Sequence, residues 1–418
     1  MLFTPSRRAG LERLAQFLPR AGTAYANTRN HDNGSPDGGE ARPNVSQLSP
    51  WLHSGLVSER EVVDAVLNEH SPRAAEKFIA EVFWRIYFKG YLEQRPAVWK
   101  RYCETRNAAF DRLEANAGLR TAYNEATEGR TGIEAFDHWA RELVSTGYLH
   151  NHGRMWFASI WIFTLKLDWE LGADFFLRHL IDGDAASNTL SWRWVAGLHT
   201  KGKTYLARPD NIARYTADHP AGPLKAEGLA QDAPALEESV EISRTPLDLP
   251  PPLEADALPE RYALLLHDEA SSAATLDLPH APAVVISAAR PKARSPGELG
   301  TMTREFAHGA VEAGARDAAE TLGAQTVPWP QDASLEQVLK AADVDTIALP
   351  YLPTGWTRDA LMPHLQPLIE SQCAHPFLSD LDRATWPHAK AGFFGVKKQI
   401  ERILRELGVT GTSAVPAL

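Results

Sequence analysis

The sequence is short of cysteine. Its 418 residues include only Cys103 and Cys373, too few for a disulfide framework, a cysteine zinc site or a four-thiolate iron–sulfur cluster. A reducing cytosol is the expected compartment. Long apolar runs are also missing. The longest, around Met155 to Leu165, is too short to cross a bilayer. The opening MLFTPSRRAGLERLAQFLPR has neither the apolar core nor the cleavage site of a signal peptide. The expectation is a soluble, cytoplasmic protein with no membrane partner. Basic charge is in the minority, with 43 Lys and Arg against 53 Asp and Glu and a net charge of −10. That excludes a surface coated uniformly for nucleic acid, but not a local basic patch. No GxGxxG, GxxxxGKS or GxxxxGKT follows any strand-like segment, so the common nucleotide fingerprints are absent.

What the chain has in quantity is tryptophan, 12 residues in a composition 44% hydrophobic and 23% charged. It reads as two halves. Up to about Thr216 the pattern is helical. EREVVDAVL, AAEKFIAEVFWRIYFKGYLEQ and EAFDHWARELVSTG are periodic, and GRMWFASIWIFTLKLDWELG is apolar all round, which predicts a central buried helix. Residues 217–260 are rich in Pro, Ala and acid, as in an extended linker. From 261 to 418 strand-like and helix-like segments alternate, with YALLLH, APAVVIS, AQTVPW and DTIALPYL as strands. That alternation predicts a doubly wound parallel α/β sheet. The fold class expected is therefore an all-helical domain (1–216) followed by an α/β, Rossmann-like domain.

Three stretches carry candidate chemistry. In VSQLSPWL, Ser49 followed by Pro50 predicts an N-cap and first turn, and the Ser46 and Ser49 hydroxyls at a helix start suit an anion; a capped helix alone would explain the same residues. In YLHNHGRM, Asn151 and Arg154 share a face if a helix begins there, and a buried Arg154 must be paired. Two histidines two apart on a helix point in different directions, so HNH does not read as a metal site. In LIDGDAASNTLSWRW, the DGD lacks the other ligands of a calcium loop. It reads as acceptors opening a helix on which Asn188 and Trp192 share a face. Core tryptophans behind a capped helix are the plainer explanation of that stretch.

Taken in order, YANTRN, VSQLSPWLHSGLVS, FIAEVFWRIYF, TGIEAFDHWARELVSTGYLHNHGRMWFAS and LDWELGADFFLRHLIDGDAASNTLSWRW resemble the FAD-binding helical domain of the photolyase/cryptochrome flavoproteins, over roughly Tyr25 to Thr216. The resemblance implies FAD as cofactor. Tyr25, Ser46, Leu48 and Ser49 would hold its phosphates and ribityl chain, and Arg85 and Arg154 would line the cavity. Asp182 and Asp184 would accept from the flavin ring and ribose, and Asn188 would face N5. Trp192 would be the nearest electron donor and Trp169 the next. Glu81, Trp84, Asn151, Met155 and Trp194 match positions that hold the DNA lesion. Arg29, Arg154, His150, His152, Lys201 and Lys203 would form a basic rim.

The sequence departs from the family in three ways. NAAFDRLEANAGLRTAYNEATEGR lacks the third tryptophan of the usual chain, leaving Trp161, Trp156 or a tyrosine as the exit. Val45 replaces the threonine of the family's Thr-Ser pair. The α/β half follows the helical half, as in a circular permutation, and GFFGVKKQIERIL echoes the family's junction between the two. The resemblance implies either light-driven repair of pyrimidine dimers in DNA, a deoxyribodipyrimidine photo-lyase activity, or cryptochrome-like blue-light sensing. It leaves a second, antenna chromophore and any signalling partner unidentified.

Overall fold

Side-chain caps start many of the helices in the computed structural model, which describes residues 3–34, 42–238 and 240–411. Ser6 caps α1 (Arg7–Phe17) through the Ala9 N–H. The short α2 (Thr23–Thr28) and α3 (Ser49–His53) follow. Ser58 and Glu61 form a reciprocal capping box on α4 (Glu59–Glu69). Ser71, with Pro72 in the first turn, opens α5 (Pro72–Glu93), which runs through the site. Next come α6 (Pro96–Ala115), α7 (Ala117–Thr127) and α8 (Glu134–Thr146), the last stopped by Gly147 in the left-handed region. Then follow α9 (Asn151–Ser159), α10 (Trp169–His179), α11 (Ala185–Val195) and α12 (Pro209–Tyr215).

Two local expectations are corrected. The apolar stretch from Gly153 to Gly172 is not one helix. After α9 the chain widens into a π turn over Ile160–Thr164, and Lys166 takes a positive φ of 55° before α10 begins. Five consecutive aromatic or β-branched residues crowd one another there, and the wider turn lets all four rings and aliphatic side chains of Ile160–Phe163 stay buried. Ser49 is not the cap of α3 either. Leu48 holds that position without a side-chain bond and Ser49 is the first helical residue, with Pro50 in the first turn as expected.

Residues 217–260 contain no strand and one short 3-10 turn, Ala255–Ala257, among the described residues. They lie along the helical half. Leu224 and Ala226 are buried in its core, and the Leu236 and Thr245 N–H groups donate to Ala196 and Gln94 carbonyls.

The second half holds a five-stranded parallel sheet in the order β3-β2-β1-β4-β5, with β1 (Ala263–His267), β2 (Val284–Ala288), β3 (Gln325–Pro328), β4 (Ile347–Pro350) and β5 (Ala374–Phe377). Ala263 sits opposite both Val284 and Ile347 in register. Helices α13 (Thr301–Leu322), α14 (Leu335–Ala342) and α15 (Trp356–Glu370) complete a doubly wound α/β unit. The chain then leaves the sheet. Its last helices, α16 (Asp380–Thr385), α17 (Phe394–Lys397) and α18 (Ile400–Glu406), pack against the helical half, and Leu381, Trp386 and Phe393 join the core around α5.

The strand order reverses between β1 and β4, where open α/β sheets keep their ligand crevice. Here the helical half occupies it. The Ser271 N–H donates to the Ser54 carbonyl at 2.7 Å. A side chain on Gly55 (φ 67°) would come within 2.8 Å of the Ala270 backbone, so only glycine admits that approach. Arg294, fully buried, donates to the Leu180 carbonyl (2.9 Å) with its guanidinium 4.8 Å over the Trp356 ring, and the Trp356 indole donates to Gly183. The α/β half thereby pins the turn that leads into α11.

Candidate functional site

The pinned turn borders a cavity of about 710 Å³ enclosed by α2, α3, α5, α9 and α11. Most of the residues singled out in the sequence line it. Tyr25 comes from α2, and Ser46, Leu48 and Ser49 come from the start of α3. Glu81, Trp84 and Arg85 come from α5, and Asn151, Arg154 and Met155 from α9. Asp182 arrives from the turn, and Asn188, Trp192 and Trp194 from α11. Asp184 and Trp169 stand behind this wall instead.

Arg154 is paired as its burial requires: its guanidinium donates to both Asp182 oxygens, at 3.1 and 2.9 Å. Burial alone would raise the Asp182 carboxyl, but Arg154, helped by the Ser49 hydroxyl, holds it below the usual carboxylate range. Asp184 caps α11 by accepting from the Ser187 N–H at 2.6 Å. Burial works against its charge too. His53 at 3.7 Å, Lys89 at 3.9 Å and Arg85 at 3.8 Å outweigh it and keep Asp184 far below the usual range. Asn188 donates through its amide nitrogen to the Ala173 carbonyl at 2.9 Å, which leaves its oxygen as the end available to the cavity.

Glu81 is held differently. Burial pushes its carboxyl up, and the Arg29 guanidinium, 2.7 Å away, pulls it only part of the way back. Trp84 has one face stacked on Phe393, with centroids 4.1 Å apart and planes at 16°. Trp194 stacks on Tyr205. Of the histidines in HNH, His150 does not lie on α9 but caps it, accepting from the His152 N–H, and only His152 faces the cavity.

Sequence reasoning missed Lys89, His53 and Glu269. Lys89 follows Arg85 by one helical turn, as Arg85 follows Glu81, so the stripe was present in the spacing. Glu269 comes from the end of β1, and its 3.0 Å bond to Lys89 depends on how the two halves dock. His53, Asp184 and Glu269 bring ligand atoms within 4.8 Å of one another. The Lys89 ammonium sits beside both carboxylates, so the cluster is already balanced as an ion network.

Residues 78–219 match the family model described as the FAD binding domain of DNA photolyase. The chain is similar to that domain over this segment. Its relatives include the deoxyribodipyrimidine photo-lyase of Streptomyces griseus, 33% identical over 222 residues that make up 50% of this chain and 46% of that one. Cryptochrome DASH of Ostreococcus tauri is 34% identical over 189 residues, 42% of this chain and 32% of that protein. Among solved structures, a bacterial class III photolyase from Agrobacterium tumefaciens aligns with a TM-score of 0.40 at 25% identity, covering 51% of this chain and 44% of the other. The chain spans less than half the length of these relatives.

FAD is the cofactor that goes with a photolyase-type domain, and the cavity suits it. Its volume lies within the range of cofactor sites, about 300–1,000 Å³. The wall also carries buried polar atoms with no hydrogen-bond partner, Oγ of Ser187 and Nε1 of Trp192, whereas those of Arg85 face Glu59 at 3.6 Å and Asp184 at 3.8 Å. Buried donors are seldom left unpaired unless a bound group satisfies them.

Among the described residues no helix is long and apolar enough to cross a membrane.

Proposed function

We propose that this chain is a light-driven DNA repair protein of photolyase type, binding FAD in the cavity and a pyrimidine dimer at its mouth. One observation carries the reading. The sequence-matched cofactor residues other than Asp184 and the matched lesion residues Glu81, Trp84, Met155 and Trp194 line the same cavity. FAD held there in its reduced form would supply light-driven one-electron transfer to and from the dimer. Tyr25, Ser46, Leu48, Ser49, Arg85 and Arg154 bind it, and Asn188 presents its amide oxygen. Asp182 keeps Arg154 in place. Trp84 and Trp194 offer indole faces to unpaired bases. The raised Glu81 carboxyl, when protonated, is suited to donating its O–H to a thymine carbonyl. Asp184 acts at one remove, through the α11 cap and the Lys89 network.

The order of the halves belongs to the same reading, as a circularly permuted photolyase in which α16–α18 lead from the sheet back to α5. The cytosol is the proposed compartment, in keeping with two free thiols at Cys103 and Cys373. Blue-light sensing without repair is the second reading. The Arg29–Glu81 pair favours it, because a carboxylate held by a guanidinium gives up less to a base. Photoreduced protein, a dimer-bearing oligonucleotide and blue light decide between them. Repair restores thymine absorbance, and Glu81→Ala lowers the yield per photon. No restoration by the parent protein would leave sensing.

A further inference from the structure

The most exposed large apolar side chain among the described residues is Phe394, at 73%. A single exposed apolar residue is ordinary on a protein surface; this one is set apart by its surroundings. Phe393, its neighbour, is buried and stacked on Trp84 in the cavity wall. The Tyr87 hydroxyl donates to the Ala391 carbonyl at 2.6 Å and lies 3.1 Å from Nε2 of His199, another wall residue. One hydroxyl thus ties the loop carrying Phe394 to the loop that continues into Lys201 and Lys203. The chain is thus held just before Phe394, and Val396 just after it is buried, while the Phe394 ring stands exposed one residue from the Phe393–Trp84 stack.

The two segments that Tyr87 ties together also carry free charge. Lys201, Lys203, Lys390 and Lys398 are exposed, and among the described residues none of them pairs with a carboxylate. The nearby acids are already engaged: Glu76 with Lys397, Glu401 with Arg405 and Glu406 with Arg402. On a chain of net charge −10 these are four exposed lysines, free of carboxylates, on the two segments that Tyr87 joins next to one exposed aromatic ring.

We propose that Phe394 is a wedge that enters the base stack of a DNA duplex docked over the cavity mouth, with Lys201, Lys203, Lys390 and Lys398 on its phosphates. The inference rests on the repair reading and deepens it. Extruding a dimer leaves a gap in the stack, and an inserted apolar ring offsets part of the unstacking cost. The lysines supply the sequence-independent, salt-sensitive part of the affinity.

The test uses the full-length, FAD-loaded protein in the dark, with a duplex carrying a thymine dimer beside a fluorescent aminopurine. The parent should raise aminopurine emission several-fold. Phe394→Ala should lose most of that rise and bind the dimer duplex about tenfold more weakly, with FAD content and intact-duplex affinity unchanged. Phe394→Leu should keep the response. Lys390→Ala with Lys398→Ala should weaken both duplexes and lower the salt slope by about two. If the parent responds and Phe394→Ala responds equally, the wedge is wrong while the repair reading stands. If the parent itself binds both duplexes alike with no emission change, the repair reading fails and takes the wedge with it. A parent dimer that Phe394→Ala converts to monomer, with DNA responses unchanged, would instead make the ring a contact between copies and overturn the proposal.

Discussion

Trp192 and Trp161 meet edge to face, with ring centroids 6.3 Å apart and planes at 88°. Trp161 in turn meets Tyr123 at 5.9 Å and 89°, and Tyr123 is partly exposed. Trp169 keeps other company. It packs on Tyr102 at 5.6 Å, and among the described residues no ring contact joins it to Trp192. The ring contacts therefore favour Trp161 over Trp169 as the partner of Trp192. Under blue light with a thiol as reductant, Trp161→Phe should slow the loss of oxidised-flavin absorbance more than Trp169→Phe. The opposite order would restore Trp169 to second place.

Gly172 makes room for that contact. A side chain there would lie 2.3 Å from the Trp192 ring and 2.9 Å from Trp161, both fully buried. Gly172→Ala should cost about 1–3 kcal/mol of stability by overpacking. It should also alter tryptophan fluorescence, and urea unfolding followed by that emission checks both.

Arg154 and Asp182 test the wall itself. With Arg154 removed, Asp182 would be left buried without its guanidinium. Arg154→Ala should destabilise the protein by about 3 kcal/mol and lower the FAD it retains. Arg154→Lys should recover part of the stability, since it restores the charge but not the paired bonds. Thermal unfolding and flavin absorbance report the two effects separately.

Asp268 gives a pH signature. Burial pushes its carboxyl up to about 7, against the opposing pull of the Arg290 N–H and Arg294. Between the ordinary carboxylate range and pH 7 the folded protein holds one more proton than the unfolded chain. The contribution of Asp268 to stability should therefore fall as pH rises through that window, by up to about 1.4 kcal/mol per pH unit, and level off above it, opposed by histidines such as His150 and His267 that burial holds near 4. Asp268→Asn should remove this component, so that its stability relative to the parent rises with pH across the window. Denaturant midpoints measured across the window would show it.

Much of the helical half was legible because its signals are local. Ser58 and Glu61, Ser71 and Pro72, and Gly147 mark helix ends by chemistry confined to a few residues. The π turn at Ile160–Thr164 left no mark, since a run that is apolar all round has no period to break. Strand β5, four residues with a proline and a histidine, is an edge strand too short to alternate visibly. In the site, the α5 stripe and the pairing of Arg154 could be read from spacing and burial. The Phe393–Trp84 stack and the Lys89–Glu269 bond could not, because each joins side chains from opposite halves of the chain.

FAD uptake tests the central claim most directly. Full-length protein, purified and titrated with FAD, should come to hold stoichiometric flavin that denaturation releases intact, with binding weakened in Arg85→Ala, which removes a guanidinium from the wall. Colourless protein that takes up no FAD would contradict the account.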